Sequence, residues 1–332
     1  MRVCIKELCM KLAAIFFGLI FALMVGEVVI RILEPRSDTK GIQLEKSARL
    51  FGLQGNSRGY AGGVEFETNS SGFRTGEFNY DLNDEELRVI VIGDSYAFGY
   101  GVSEGSSFPS ILQKNLNREY PDKRVRVINL GIPGYNTAQE LATLREVGLS
   151  LRPKLVLLAY HLNDIERLSE SRNERVWTLK GILDSAKEHI HLLRYFLPRV
   201  VSLARSFHIG VKSTATAEVQ EYITEGPAWK QNQDTLKELF GLCAKMHWRL
   251  GIVVLPYIVD LSDRHPCIDA YQEVVVFCRA QGVPVVNTFD YFRGLNARKL
   301  WINAFDGHPN AEGHALIAKA AADLVKTESL LQ

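Results

Sequence analysis

The sequence is short of several things. Neither sign of charge predominates: 39 basic against 38 acidic residues leave a formal net charge of +1, so no global field draws the chain to nucleic acid or to an acidic partner. Five cysteines in 332 residues show no metal-ligand spacing, and Cys4 and Cys9 have no lipobox around them. Cys243 and Cys278 fall on apolar stripes of predicted helices, the usual place for a small buried residue; Cys267 stands apart, and one disulfide is left open. The four tryptophans, Trp177, Trp229, Trp248 and Trp301, are scattered rather than spaced as a stacking platform for a glycan. Internal repeats and low-complexity tracts are absent. Long apolar runs are absent but for one, and the remainder, within an overall 46% hydrophobic and 23% charged residues, has globular composition with room for one large or two small domains.

The one long run is residues 12–32. Twenty-one residues at ~1.5 Å rise span about 30 Å, the depth of a bilayer core. Glu27 and Arg31, four apart, can pair near the interface. A cleaved signal peptide with Arg2, Lys6 and Lys11 as its basic region is the rival reading, but Met24-Val-Gly26 is a poor small-x-small site. The expectation is an N-terminal tail over 1–11 and one uncleaved transmembrane helix over 12–32. Basic residues flank both sides, so the positive-inside count hardly sets the orientation.

Residues 33–86 are rich in Gly, Ser, Asn and charge and read as a stalk and approach segment, with Thr68–Arg74 the one ordered-looking piece. From Arg88 the pattern alternates strand and helix across a domain over 87–326. Strands are expected at Arg88–Gly93, Val125–Leu130, Leu155–Tyr160, Gly251–Pro256 and Val283–Phe289. Helices are expected between them at about Ser107–Tyr120 and Thr137–Gly148, around Leu236–Cys243 and Tyr271–Cys278, and from Pro309-Asn310 onward. Residues 165–227 break the rhythm as an insertion whose amphipathic segment, Ile182–Phe207, suits a lid, plain packing or a membrane surface. Five strands alternating with helices predict an α/β fold: a three-layer α/β/α sandwich on a flavodoxin-like five-stranded parallel sheet of order 2-1-3-4-5.

In that order strands two, one and three are neighbours, and ligands bind beyond their carboxyl ends. The first strand, apolar and β-branched as a strand buried on both faces is, runs into Gly93-Asp94-Ser95. By itself this is also an ordinary strand-to-turn junction with a serine N-cap. Gly131 and Asn163 follow the next two strands. The N–H groups of Ser95 and Gly131 and the Asn163 amide could surround one oxygen atom, as an oxyanion hole does; glycine at 131 would let an acyl group approach the backbone. A serine nucleophile needs a base. Of eight histidines, His308 lies in a loop before the last helix with Asp306 close enough to hold its ring. His161 sits at a strand end where burial is expected, and His314 on a helix where it packs.

Gly93-Asp94-Ser95, Gly131, Asn163-Asp164 and Asp306-x-His308, in this order over roughly residues 88–325, resemble the SGNH (GDSL-type) hydrolases. The apolar span, Asn69-x-x-Gly72-Phe73-Arg74 and Asn129-Leu-Gly-Ile-Pro-Gly-Tyr135 resemble a bacterial membrane-anchored subset. The resemblance implies Ser95 as nucleophile, His308 as base, and Ser95 N–H, Gly131 N–H and Asn163 as the oxyanion hole. Two departures stand out. The usual last block is Asp-x-x-His, whereas here Phe305 lies three before His308 and Asp306 two before. The third block often reads Gly-x-Asn-Asp, whereas here His161 replaces that glycine.

The expected activity is a serine esterase or acylhydrolase acting on a small acyl ester, O-acetyl included, without cofactor or metal. The resemblance places the domain outside a bacterial inner membrane, held by a single span. The rivals are an O-acyltransferase using the same serine on a cell-envelope glycan, a non-catalytic envelope protein of the same fold, and a metallophosphoesterase. The last is disfavoured by the missing early Asp-x-His and late His-x-His blocks.

Overall fold

The computed structural model describes residues 2–33, 42–44, 49–78, 80, 86–165, 190, 214–304 and 306–332. The chain forms two units. One contains α1 (Arg2–Leu33), whose apolar stretch Ala13–Arg31, 19 residues, is long enough to cross a bilayer and has no part buried. Arg31 Nε donates to Glu27 Oε1 at 2.8 Å, the i,i+4 pair expected. The predicted segment Ile182–Phe207 lies outside the described residues apart from Ile190.

The other unit holds the sheet. It opens with β1 (Ile42–Leu44) paired to β2 (Phe51–Leu53), then a hairpin of β3 (Arg58–Ala61) and β4 (Val64–Glu67). Sequence pattern marks only Thr68–Arg74 as ordered in this stretch, but Leu53, Ala61, Phe66 and Phe73 are all buried in the core. These apolar residues stand singly, and the groups that bury them come from far along the chain, so no periodicity shows them. Phe66, for instance, meets Phe98 edge to face at 5.0 Å.

There follow β5 (Glu86–Gly93), α2 (Ser95–Phe98), α3 (Phe108–Glu119), β6 (Arg124–Asn129), α4 (Thr137–Thr143), β7 (Leu155–Tyr160), α5 (Thr214–Ile223), α6 (Pro227–Lys245), β8 (Arg249–Val254), α7 (Ile268–Ala280), β9 (Val285–Asn287), α8 (Phe289–Phe292), β10 (Trp301–Asn303), β11 (Asp306–Pro309) and α9 (Ala311–Thr327). The sheet runs β6-β5-β7-β8-β9, every pair parallel, which is the expected 2-1-3-4-5 order. Helices α3 and α9 pack together on one face, and α4, α5, α6 and α7 on the other. Val89–Ile92 and Leu155–Leu158 are fully buried because both faces of these central strands are covered.

The fourth strand is shifted to Arg249–Val254, the loop expected around His308 is a hairpin of Trp301–Asn303 and Asp306–Pro309, and two further elements differ from the sequence expectation. The helix from Thr137 stays α-helical only to Thr143 and widens into a π turn over Leu144–Gly148. The fifth strand, expected over Val283–Phe289, keeps only Val285–Asn287. Pro284 has no N–H to donate to the ladder, and Asn287 Oδ1 accepts the N–H of Phe289 at 3.1 Å, turning the chain into α8. From within the expected insertion, α5 packs beside the end of β7: Tyr222 Oη lies 2.7 Å from Tyr160 Oη and donates to Leu162 O at 2.9 Å.

Candidate active site

The nucleophile-bearing turn is built by sterics first. At Gly93 a Cβ would lie 2.8 Å from Ala97 Cβ and 2.9 Å from Ala159 Cβ, so only glycine lets β5 fold at once into α2. Buried Asp94 caps that helix, its Oδ1 accepting Tyr96 N–H at 2.9 Å, as an N-cap carboxylate does. Gly99 ends the helix at φ +82°, the left-handed C-terminal stop. Ser95 is thus the first residue of a helix four residues long, pinned at both ends.

The β10–β11 hairpin brings the histidine. Asn303 faces Asp306 and Trp301 faces Pro309 across it. His308 Nε2 lies 2.9 Å from Ser95 Oγ. Asp306 Oδ1 lies 2.6 Å from His308 Nδ1 and also accepts the His308 backbone N–H at 3.0 Å. The shortened Asp-x-His spacing is therefore no obstacle: the carboxylate closes an Asx turn on the histidine's own backbone and faces the ring with the same oxygen. Burial pushes the Asp306 carboxyl up, but hydrogen bonds from His308 and its charge outweigh this and hold it below the usual carboxylate range. Tyr100 lies against the His308 ring at 4.6 Å and Tyr96 at 5.6 Å. About 30% of each polar partner is open, with the His308 side chain 29% and the Asp306 side chain 32% exposed.

The expected oxyanion groups sit differently. Asn163 lies in the 3₁₀ turn Leu162–Ile165 after β7, its Oδ1 2.8 Å from His161 Nδ1. Asp164 holds this turn, its Oδ2 accepting His161 N–H at 3.2 Å and its N–H donating to His161 O at 3.0 Å. Gly131 N–H donates to Asn129 Oδ1 at 2.9 Å, and Asn129 Nδ2 donates to Ala97 O at 2.8 Å. A Cβ on Gly131 would lie 2.6 Å from both Ala97 Cβ and Phe98 N. The backbone of α2 thus gives the glycine a packing reason of its own, beside the expectation that it clears space for an acyl group. Ser95, His308 and Asp306 thus form one hydrogen-bonded line, Asn163 is held by His161, and Gly131 is tied to Asn129.

Sequence reasoning left several residues without a role. Asn129 stands as a polar residue at the end of an otherwise apolar strand, which is a legible signal. Arg74, buried, donates to the carbonyls of Phe98, Gly99 and Val102. Glu140 on α4 is buried, and neither carboxylate oxygen has a partner among the described residues. His314 is buried as expected; its Nδ1 accepts Phe108 N–H at 3.3 Å, and burial, with the nearby charges of Arg74 and His308, pushes it down to about 3. Cys243, Cys267 and Cys278 are buried, and Cys243 and Cys278 are free thiols. Among the described residues, no three of His, Cys, Asp and Glu gather as a metal site.

The GDSL-like lipase/acylhydrolase family model matches residues 91–316. No curated protein matches at a significant level. Among solved structures, the chain is similar to LAE5, an alpha/beta hydrolase enzyme from the metagenome of Lake Arreo, Spain, with 19% identity and a TM-score of 0.46, over 72% of this chain and 95% of that one. It is similar also to a catalytic mutant of Axe2, an acetylxylan esterase from Geobacillus stearothermophilus, with 18% identity and a TM-score of 0.45, over 72% and 94%. A two-domain esterase active on acetylated mannans gives 14% identity and a TM-score of 0.45, over 74% of this chain and 50% of that one.

Proposed function

Because the chain belongs to the GDSL-like lipase/acylhydrolase family, an ester-hydrolase family, we propose that it cleaves a small acyl ester through a covalent acyl-enzyme on Ser95. The carrying observation is the line Ser95 Oγ–His308 Nε2–Asp306, at 2.9 Å and 2.6 Å, assembled from stretches 213 residues apart. In this reading Ser95 Oγ attacks the ester carbonyl as His308 Nε2 takes its proton. Ionised Asp306 fixes the Nδ1–H tautomer and stabilises the imidazolium that forms. His308 then returns the proton to the leaving alcohol, and the same base activates water to release the acid.

The oxyanion forms beyond the ends of β5 and β7. Ser95 N–H begins α2 and so has no carbonyl within its helix to bond, and the Asn163 amide supplies a second donor. Gly131 N–H, already donating to Asn129, enters at most as a shared third donor. The aromatic rings crowding His308 support a small acyl group. The exposed apolar α1 supports anchoring, and we place the catalytic domain outside a bacterial inner membrane, the arrangement of the subset the sequence resembles.

A fluorophosphonate should label the wild-type chain and not Ser95→Ala; equal labelling of both removes Ser95 as nucleophile. Partitioning a chromogenic acetyl ester between water and an added envelope oligosaccharide separates the reactions. Free acetate unaffected by the acceptor supports hydrolysis. Acetylated acceptor as main product, lost in Ser95→Ala, makes the protein an acyltransferase with the same site.

A further inference from the structure

We propose that His161 is a positioning residue: its Nδ1–H donates to Asn163 Oδ1 and thereby decides which end of the Asn163 amide faces the reacting carbonyl. This rests on the reading of Asn163 as an oxyanion donor. An amide carries an acceptor on one arm and two donors on the other. Turned one way it stabilises a developing oxyanion, and turned the other it opposes it. A partner that can only donate to Oδ1 removes the choice.

His161 is such a partner. The residue is 3% exposed, and burial lowers its pKa despite the opposing charge of Asp94, so it carries one proton. The 2.8 Å contact between Nδ1 and Asn163 Oδ1 needs that proton on Nδ1, because Oδ1 only accepts. The far nitrogen agrees: Nε2 is buried with no partner among the described residues, and an unprotonated nitrogen there leaves no N–H stranded. The competing contact, Asn163 N–H toward His161 Nδ1, is 3.5 Å, too long to compete with one at 2.8 Å.

The ring itself cannot turn. Tyr96 lies against one side at 4.9 Å and Tyr257 meets it edge to face at 4.3 Å. Tyr257 is in turn fixed by Tyr271 Oη, which accepts its N–H at 2.7 Å, and by His265 Nε2, 2.8 Å from its carbonyl oxygen. Tyr96 adjoins Ser95, so the ring that orients Asn163 rests on the nucleophile's own helix. A glycine at 161 would leave the amide without this donor.

The test is a double-mutant cycle read in kcat and KM. His161→Ala should lower kcat at least tenfold with KM within about twofold, and His161→Asn, whose Nδ2–H can replace the ring N–H, should recover most of it. In an Asn163→Ala background, His161→Ala should cost nothing further. The same loss in both backgrounds, or no recovery with asparagine, reduces His161 to packing and overturns the proposal. Should His161→Ala not fold, His161→Asn and His161→Asp carry the comparison, since only asparagine donates; equal kcat in the two overturns it. An Asn163→Ala protein with unchanged kcat instead defeats the oxyanion reading itself, whereas a damaged Asn163→Ala with a silent His161→Ala defeats only His161.

Discussion

Arg74 Nη1 lies 2.6 Å from the carbonyl oxygen of Gly99, so an arginine from the segment before the sheet closes the helix that Ser95 begins. The same guanidinium donates to Phe98 O at 3.3 Å and Val102 O at 2.8 Å, and lies over the Phe98 ring at 5.2 Å. Among the described residues, no other side chain of that segment bonds the nucleophile-bearing turn at so many points.

Arg74→Met should therefore lower both stability and kcat. It takes the guanidinium from three carbonyls, of which Gly99 O keeps the Val102 N–H at 3.3 Å; a buried carbonyl left unpaired costs about 1–3 kcal/mol, and non-additivity brings the sum to roughly 3 kcal/mol. Arg74→Lys should recover little, because one ammonium cannot reproduce the planar fork. Urea unfolding of the two variants checks this; a loss below about 0.5 kcal/mol in both would mean the turn holds without the arginine.

His308→Ala should cost several orders of magnitude in kcat, because an unassisted serine hydroxyl is a poor nucleophile. Asp306→Asn should cost on the order of a thousandfold, as when a ring loses the carboxylate that selects its tautomer. The Asx turn predicts that Asp306→Asn leaves the hairpin folded, since its Oδ1 can still accept the His308 backbone N–H. Steady-state kinetics beside thermal melts give the answer: a large fall in melting temperature with a mild kinetic effect would make Asp306 a turn residue only.

Glu140 gives stability a pH dependence of known sign. Burial, and then the negative charge of Asp94, raise its pKa well above the ordinary 4.5. Below 4.5 both folded and unfolded chains hold the proton, and Glu140 adds no pH-dependent cost. As pH rises past that value the unfolded chain ionises while the folded one does not, so folding loses stability until the folded pKa is reached. Glu140→Gln removes this dependence and should gain on wild type as pH rises above 4.5, the ordinary value. Urea midpoints taken below and well above 4.5 suffice; a constant difference would show that the carboxyl ionises in place.

Much of this was legible beforehand, and the exceptions have physical causes. Apolar strands ending in Gly93 and Asn129, and helices with regular stripes, announce the parallel order. His308 can be read because it alone among the histidines falls in a loop before the last helix. Arg74 could not be read as structural, because its partners are carbonyls 24 to 28 residues later, and carbonyls belong to every residue. The His161–Asn163 bond was hidden for a different reason: a histidine at a strand end looks the same whether it merely packs or also donates.

Gly131 separates two reasons for a glycine. If it cleared room for the acyl group, alanine there would leave folding untouched, and its effect would grow with acyl length. The structure argues otherwise. The added Cβ would lie 2.6 Å from Phe98 N, 2.6 Å from Ala97 Cβ and 2.8 Å from Ala97 C, distances at which something must move, and two of those atoms are backbone. They belong to α2, which carries Ser95 and cannot yield without shifting the serine relative to His308. Neighbouring ties resist the shift, since Asn129 Nδ2 holds Ala97 O at 2.8 Å and Ile132 N–H holds Gly93 O at 3.1 Å. Gly131→Ala should thus lose roughly 1–3 kcal/mol, the usual cost of overpacking, and slow fluorophosphonate labelling. Acetyl, butyryl and octanoyl esters should all suffer by a similar factor. A variant with wild-type melting temperature and a defect confined to the longer esters would return Gly131 to the acyl-binding role and leave its contact with α2 incidental.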